Sequence, residues 1–418
     1  MSQTITEKII ARHAGRKSVE PGEIVEVSVD QTWSDDLGAP LTLALLERNG
    51  IEKVFDRDRV FVTSMVNAPA RDIQTAGVLK DIRRLAQKYG IKVYEAGDAA
   101  IHNSLAIEQG LTLPGELIAG GNSHSCMAGG IGCYATGMGS TDIAAILATG
   151  RTWIEVPRTI RYRFTGKPGR WITGKDLVLQ TIGRIGVAGA DNAAMEFVGP
   201  AIDGLEVEER LSMTNMAIEA GGQNAIIAPD EKTFAYLKGR AKRAFEPVYG
   251  DADARVAEEI EIPVEGLEPV VAVPFLPSNV KPLSAVKGTE LNQVYIGSCT
   301  NGWMHDLRIA ASILKGRHVA ENLRVIVIPS TTEIYKQAMR EGLADIFVSA
   351  GAAFSVPTCG PCIGAHMGVL AEGERCLSTS NRNFPGRQGS TKSETYLCNP
   401  AVAAASAVRG HICGPDDL

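Results

Sequence analysis

The chain has 418 residues, more than one hydrophobic core normally serves, so its length predicts two to four domains. Its 42 Lys and Arg against 48 Asp and Glu give a formal net charge of -6, and no basic block stands out. Nucleic acid is therefore not expected as a partner. No apolar run reaches bilayer-spanning length and no signal peptide is visible, so a membrane is not expected either. Eight cysteines in such a chain indicate a reducing compartment, and we predict a cytoplasmic protein without disulfides.

Helix and strand signals alternate along the first part of the chain. An apolar helix predicted over 41–48 precedes strands predicted over 53–55 and 60–62. A second, amphipathic helix over 76–89 leads into a strand over 91–94. Each helix stops at a glycine, and the order of helix, glycine and strand is typical of βαβ units. The sequence therefore predicts an α/β fold with mostly parallel sheets.

The same alternation continues to the end of the chain. A strand over 161–164 and a helix over 175–185 open a second unit, and the acidic, proline-punctuated stretch 251–277 is typical of a surface strand and linker. A third unit opens with a strand over 292–296 and a helix over 306–314. We predict three α/β domains, over residues 1–158, 159–283 and 284–418.

Three cysteines occupy two short, polar, glycine-rich settings. Cys299 lies in Ile-Gly-Ser-Cys-Thr-Asn, three residues past a predicted strand, where ligands gather in a parallel sheet. Cys359 and Cys362 lie in Pro-Thr-Cys-Gly-Pro-Cys. Three thiolates cannot complete the four-thiolate coordination of an electron-transfer cubane. If all three bind one cluster, one iron has no protein ligand and can act as a Lewis acid.

Other interpretations of these cysteines exist. A lone Cys-x-x-Cys is also typical of a redox pair or of half a zinc site, although no second Cys-x-x-Cys is present to complete a zinc ribbon. The remaining five cysteines sit in small or apolar surroundings and are expected to be inert core thiols. They are Cys126, Cys133, Cys376, Cys398 and Cys413.

A second polar stretch, Ser-Asn-Arg-Asn-Phe-Pro-Gly-Arg-Gln-Gly at 380–389, carries Arg382 and Arg387. Two guanidinium groups in a loop without acidic neighbours suit bidentate binding of carboxylates. A solvated loop is the commoner fate of such a segment. The pattern nevertheless indicates a small di- or tricarboxylic acid as ligand.

Taken in order, these motifs resemble the aconitase superfamily over essentially the whole chain. Within it, they are similar to the large subunits of the 3-isopropylmalate dehydratase and homoaconitase branch. The matching segments are Ser123-His124, 137–142, 214–216, 297–301, 357–362 and 380–387.

The resemblance implies three α/β/α domains around a 4Fe–4S cluster held by Cys299, Cys359 and Cys362, with one iron not ligated by protein. A fourth, swivelling domain is expected on a separate small subunit, which makes the protein part of a hetero-oligomer. The implied reaction is removal and re-addition of water on a small hydroxy di- or tricarboxylic acid, assisted by a base and by carboxylate-binding arginines.

Site residues follow from the matched positions. The candidates for catalysis are Ser123, His124, His102, Asp35 and Glu219. The candidates for substrate binding are Arg382, Arg387, Asn381, Asn215, Asn122 and Asn103.

Several positions depart from the family's pattern. Counting back from the proline at 69, Met65 and Val66 replace an Asp-His pair that assists protonation of the leaving hydroxyl. Asn103 takes the place of a second histidine in an ungapped match. A bulge of one residue would bring the adjacent His102 into that place.

Three further departures are Asn122 for Asp, Asp35 for His or Gln, and Trp303 for Arg. Together with Met65, Trp303 is expected to make the pocket smaller or more apolar. Two hypotheses follow. The chain catalyses a modified reaction, with His124, His102 or Asp35 transferring protons, or it is a non-hydratase subunit for binding or assembly. Retention of all three cysteines favours the first.

Overall fold

The computed structural model describes residues 2–98 and 101–418, which form two compact units. Unit 1 takes the described residues up to Ala96 together with His102–Thr165 and Ala190–Pro263. Unit 2 takes Gly166–Gly189 and Val264–Leu418, with the short stretch that ends at Ile101. The boundaries of the three expected domains stay a prediction. Among the described residues, no helix combines the length and the apolar character that crossing a membrane requires.

Helices are numbered along the whole chain. They are α1 Ile5–His13, α2 Ala39–Arg48, α3 Ile73–Tyr89, α4 His102–Glu108, α5 Ser140–Thr149, α6 Gly174–Ile185, α7 Pro200–Gly204, α8 Val207–Asn215, α9 Glu231–Leu237, α10 Ser298–Asn301, α11 Met304–Leu314, α12 Thr332–Arg340, α13 Leu343–Ser349 and α14 Pro400–Arg409. Short 3₁₀ helices lie at Arg57–Arg59, Ser123–Ile131, Met216–Ala220, Leu283–Ala285, Gly360–Ile363 and Pro415–Asp417.

Strands are numbered in the same way. They are β1 Ile24–Ser28, β2 Gln31–Asp35, β3 Val60–Thr63, β4 Lys92–Tyr94, β5 Leu117–Gly120, β6 Tyr134–Gly137, β7 Arg151–Glu155, β8 Thr159–Thr165, β9 Ala194–Val198, β10 Asn224–Ile226, β11 Glu258–Pro263, β12 Val270–Ala272, β13 Val280–Pro282, β14 Gln293–Ile296, β15 Arg324–Val327, β16 Ala353–Phe354, β17 Arg375–Ser378 and β18 Glu394–Leu397.

The sheets are mostly parallel, as predicted. Unit 1 holds a five-stranded parallel sheet in the order β4-β3-β2-β5-β6, a four-stranded parallel sheet β10-β9-β8-β11, and an antiparallel pair of β1 and β7. Unit 2 holds a seven-stranded sheet in the order β13-β12-β18-β17-β14-β15-β16, antiparallel only where β12 pairs with β13 and β18. In such sheets the turns after the strands lie at one edge, which is where the candidate residues fall.

Local chemistry explains most helix boundaries. The predicted helix over 76–89 begins earlier, at Ile73, because Asp72 and Thr75 form a reciprocal capping box. It ends at Gly90, whose φ of 66° is the left-handed conformation that glycine adopts without a steric penalty.

The strand predicted over 53–55 is wrong. The chain there is irregular: the amide of Phe55 donates to the carbonyl of Leu147, and Asp56 caps a 3₁₀ turn before β3 begins. Val54 is buried in the core without belonging to a sheet. The apolar pair Val54 and Phe55 suggested a strand, but no strand of the described structure pairs with this segment.

The end of α1 is held by a partly buried pair of His13 and Asp30. His13 Nε2 lies 2.5 Å from Asp30 Oδ2, and the same carboxylate accepts from the amide of Leu117 at 3.0 Å. Burial opposes ionisation of Asp30, but His13 and Leu117 outweigh it, so the pKa of Asp30 lies below its ordinary value. The pair's contribution to stability is thus present above the ordinary pKa of 3.8 and is lost as pH falls through the lower, folded-state pKa.

We therefore expect Asp30→Asn to lower the free energy of unfolding by about 1.5–3 kcal/mol at pH 7, and by less as the pH approaches 3. Denaturant unfolding at several pH values measures this difference. Asp58→Asn, at an exposed position, is the control. An equal loss at every pH would contradict the assignment.

Candidate functional site

Cys299 lies in the single turn of α10, directly after β14 in unit 2. The turn depends on Gly297, because a Cβ there would stand 2.6 Å from the carbonyl oxygen of Ile328. The next residue, Ser298, has a φ of 76°, a conformation that non-glycine residues rarely adopt and that concentrates at functional sites. The local backbone is thus held in an unusual path that presents Cys299 at the end of a central strand.

Cys359 and Cys362 lie in one tight turn, in which the amide of Cys362 donates to the carbonyl of Cys359 at 3.1 Å. The hydroxyl of Tyr295, on β14, donates to the same carbonyl at 3.2 Å. Burial raises the pKa of Tyr295 well above its usual range, and the three nearby thiols act in the same direction. Tyr295 therefore stays a hydrogen-bond donor and ties this turn to the strand that precedes Cys299.

Asn381 brings the two cysteine turns together. Its Nδ2 lies 3.6 Å from the sulfur of Cys299 and 3.0 Å from Oγ1 of Thr300, while its Oδ1 lies 3.9 Å from the sulfur of Cys362. One fully buried amide thus stands between two of the predicted cluster ligands. Amides that donate to cluster sulfurs tune the electronic properties of such sites.

The donor set fits an iron–sulfur cluster. The three cysteines form no disulfide and are between 6 % and 9 % exposed. In the part of the chain that the structure describes, no three His, Cys, Asp or Glu side chains are grouped closely enough to hold a single metal ion. A cubane cluster does not require such a grouping, because each of its cysteine ligands binds a different iron atom.

The arginine loop follows β17 and lies against the second cysteine turn. A Cβ on Gly364 would stand 3.1–3.2 Å from the backbone of Gly389 and Arg387. In the described structure, Nε of Arg387 is buried and makes no hydrogen bond. A buried guanidinium nitrogen without a partner is costly, so it is suited to a ligand carboxylate. Arg382, on the same loop, is half-buried.

Lys175 is a residue that the sequence reasoning missed. It lies near the start of α6, is 0 % exposed, and donates to two carbonyls of the segment that precedes Asn381. Burial lowers the pKa of Lys175 to about 8. An ordinary helix position with neighbouring Gly174 and Asp176 carried no signal for this contact.

Trp303 contacts the turn that carries Cys299, and its expected effect on the size of the pocket stays a prediction. It is fully buried, and its indole N–H donates to the carbonyl of Cys299 at 3.0 Å. Asp306 accepts from the Trp303 amide and forms the cap of α11. Trp303 therefore supports the Cys299 turn.

In unit 1, the predicted His124 is paired with a carboxylate. Its Nε2 lies 2.9 Å from Oε1 of Glu219, and both side chains are nearly inaccessible to solvent. His124 stands at the start of the 3₁₀ helix Ser123–Ile131, and Glu219 in the one at Met216–Ala220. A carboxylate that faces one ring nitrogen fixes the orientation of an imidazole and stabilises its protonated form.

A second histidine–carboxylate pair involves His102 and Asp35. Nε2 of His102 lies 3.7 Å from Oδ2 of Asp35, an ion-pair distance, and its ring stacks on Trp33 at 6.3 Å between centroids. Within the described residues, this Nε2 makes no hydrogen bond. Burial opposes ionisation of Asp35, but His102 and the amide of Gly38 outweigh it, so its pKa lies below the ordinary value. The first turn of α4 thus brings His102 to a charged partner.

Two asparagines join the pairs. Asn122 donates from Nδ2 to Asp35 at 3.1 Å and accepts from the amide of His124 at 2.9 Å. Asn103 is fully buried and donates to the carbonyl of His124 at 2.9 Å. The two histidine–carboxylate pairs are therefore linked through Asn122 and Asn103 into one hydrogen-bonded network within unit 1.

Met65 and Val66 are buried, and their backbone amides donate to the carboxylate of Asp36 at 3.2 and 3.1 Å. The amide of Asn67 donates to it at 2.6 Å. Burial raises the pKa of Asp36 despite these bonds. The Asp36 carboxylate thus holds the backbone of residues 65–67 in place.

Two remaining candidates are also placed. Asn215 is fully buried at the end of α8, with Nδ2 3.5 Å from the sulfur of Met127. Ser123 is half-buried and begins the 3₁₀ helix of His124. Their roles toward a substrate stay a prediction. The five other cysteines are buried and form no disulfide, and burial raises the pKa of those at 133, 376, 398 and 413.

The chain is similar to known proteins over nearly its whole length. The profile described as "Aconitase family (aconitate hydratase)" matches residues 7–410. The "3-isopropylmalate dehydratase large subunit" of Hydrogenobaculum sp. (strain Y04AAS1) is 51% identical over 418 residues, covering 100% of this chain and 99% of that one. The protein of the same name from Sulfurihydrogenibium sp. (strain YO3AOP1) is 52% identical, covering 100% and 97%.

A solved structure, the holo-form of Thermococcus kodakaraensis aconitase X, shares the fold with a TM-score of 0.53 at 12% identity, covering 88% of each chain. The resemblance read from the motifs is confirmed. The chain belongs to the aconitase family of hydro-lyases, and this membership implies an iron–sulfur cluster.

Proposed function

We propose that the chain is the large subunit of a hydro-lyase that removes water from, and adds it to, a hydroxy di- or tricarboxylic acid of the 3-isopropylmalate type. The observation that carries the proposal is the set of three buried cysteines, with the side chain of Asn381 between the sulfurs of Cys299 and Cys362. The names of relatives that are half identical over their whole length support the substrate class.

We assign a 4Fe–4S cluster to Cys299, Cys359 and Cys362. When bound through three thiolates, the cluster supplies an iron without a protein ligand, which polarises substrate oxygens as a Lewis acid. The chain's own task here is to hold the thiolates in register. Tyr295 does so for the Cys359 turn, and Nδ2 of Asn381, a donor, does so for the sulfur of Cys299.

Substrate carboxylates are bound by Arg387 and Arg382. The buried Nε of Arg387 is a donor that a carboxylate oxygen would satisfy, and its fork geometry permits two parallel hydrogen bonds. We expect Arg387→Leu to raise KM about 10- to 100-fold, because the charge-assisted hydrogen bonds to the substrate carboxylate are lost. Steady-state kinetics measure this increase in KM. Arg409→Leu, an exposed arginine that bonds a terminal carbonyl, is the control. An unchanged KM would contradict the assignment.

Proton transfer falls to the two histidine–carboxylate pairs of unit 1. In each pair a carboxylate lies close to Nε2 of the imidazole, that of Glu219 at 2.9 Å from His124 and that of Asp35 at 3.7 Å from His102. Because Met65 and Val66 carry no ionisable group, we propose that His102 with Asp35 replaces the family's Asp-His pair. Asn122 and Asn103 hold these groups in place, and Ser123 and Asn215 complete the polar wall.

The partner we propose is a small subunit that carries the swivelling domain, in a cytoplasmic hetero-oligomer. Relatives named as large subunits support such a partner, and eight cysteines that form no disulfide fit a reducing compartment.

The test is co-purification of the chain with the product of its neighbouring coding sequence, in the absence of oxygen, followed by cluster reconstitution. Hydroxy di- and tricarboxylic acids are then screened by the absorbance of the unsaturated product. Turnover that requires the cluster supports the proposal. Tight ligand binding without turnover of any acid would favour the binding or assembly subunit instead.

A further inference from the structure

Lys175 makes a set of contacts that the reaction does not directly use. Its Nζ donates to the carbonyl of Thr379 at 2.9 Å, the carbonyl of Ser380 at 2.5 Å and Oδ1 of Asn301 at 3.3 Å. The side chain is 0 % exposed. All three acceptors are neutral oxygens, so the cost of removing the ammonium from water is offset only if each bond is made.

The three acceptors belong to the two loops that matter most in unit 2. Thr379 and Ser380 immediately precede Asn381 and Arg382, and they lie 204 and 205 residues from the lysine in sequence. Asn301 closes the single turn of α10, two residues after the cluster cysteine at 299. One ammonium with three N–H groups therefore joins the turn that carries a thiolate to the loop that carries a substrate arginine.

We propose that Lys175 is a positioning residue that holds the loop beginning at Thr379 against the Cys299 turn, and so sets where Arg382 stands relative to the cluster. The role assigned to the loop rests on the proposed function, whereas the tether itself does not. Small displacements are costly in such a site: a shift of about 1 Å can lower the rate about 100-fold.

The first experiment measures the tether without any substrate. We expect Lys175→Met to speed amide hydrogen exchange in peptides that cover residues 379–387, and to leave peptides of β3 and β5 unchanged. Lys232→Met is the matched control, because Lys232 also donates to two successive carbonyls, those of Gly204 and Leu205, on the protein surface. Equal exchange over 379–387 in both variants and in the unchanged protein would overturn the proposal.

The second experiment uses the reconstituted enzyme with its small subunit. For Lys175→Met we expect kcat/KM to fall about 100-fold, and the cluster's reduction potential to move to more negative values because a buried positive charge is lost. Lys175→Arg, which keeps the charge and several donors, should recover part of both. A lower melting temperature with unchanged potential and KM would show a packing role and overturn the proposal.

A milder variant covers the case in which Lys175→Met does not fold. Asn301→Leu removes one of the three acceptors and leaves both carbonyl contacts in place. It should speed amide exchange over 379–387 and lower kcat/KM, each by a smaller factor than Lys175→Met does, and no change in either would overturn the proposal. If the unchanged enzyme turns over no hydroxy acid, the proposed function fails while the exchange experiment still decides the role of Lys175.

Discussion

We expect Cys299→Ala to remove the iron–sulfur cluster and to lower dehydratase activity by at least about 10³-fold. The remaining thiolates, Cys359 and Cys362, lie in one turn and cannot hold a cubane alone. Loss of a Lewis-acidic metal removes several kcal/mol of transition-state stabilisation, which corresponds to this factor. Iron analysis, the visible absorbance of oxygen-free protein and turnover measure the effect.

Cys376→Ala is the matched control for that experiment. Cys376 is a fully buried thiol of the same unit, on β17, and burial raises its pKa to about 12. We expect the alanine variant to keep its iron and its activity, with lower stability of about 1 kcal/mol at most. If Cys299→Ala keeps its iron and its colour, the cluster is held by other residues and the assignment is wrong.

The second large effect is expected for His102→Gln. If His102 transfers a proton with Asp35 as its partner, kcat should fall about 10²- to 10⁴-fold. Binding of an unreactive dicarboxylate should change little, because His102 is not expected to bind a carboxylate. Turnover and calorimetric titration with such a ligand separate the two effects.

His13→Gln is the control, since His13 also faces a carboxylate in unit 1, the partly buried one of Asp30 at the end of α1. It should lower stability and leave kcat unchanged. If His102→Gln keeps wild-type kcat while His124→Gln abolishes it, the assignment of proton transfer to His102 is wrong.

Much of the fold could be predicted because its signals are local. Capping residues, glycines after helices and apolar runs identified α3, β4, β8, α6 and β14 within a few residues. The error over 53–55 has the opposite cause. Whether a short apolar run becomes a strand depends on a partner strand, and none pairs with that segment in the described structure.

The candidate site divides in the same way. Motif positions brought out the cysteines, the arginines and His124, because each motif is contiguous in sequence. Sequence reasoning left His102 open, since a match by position favoured Asn103. The structure places His102 3.7 Å from Asp35 and directs the Asn103 amide to the His124 backbone.

By itself, the sequence determined the family and the mostly parallel α/β fold, and it predicted the residues that would bind a cluster, because these depend on residue type and short spacing. Only the tertiary structure decided which of these residues contact one another. Glu219 meets His124 across 95 residues, and Lys175 meets Ser380 across 205. Contacts at such separations arise from packing of distant elements, which no local pattern encodes.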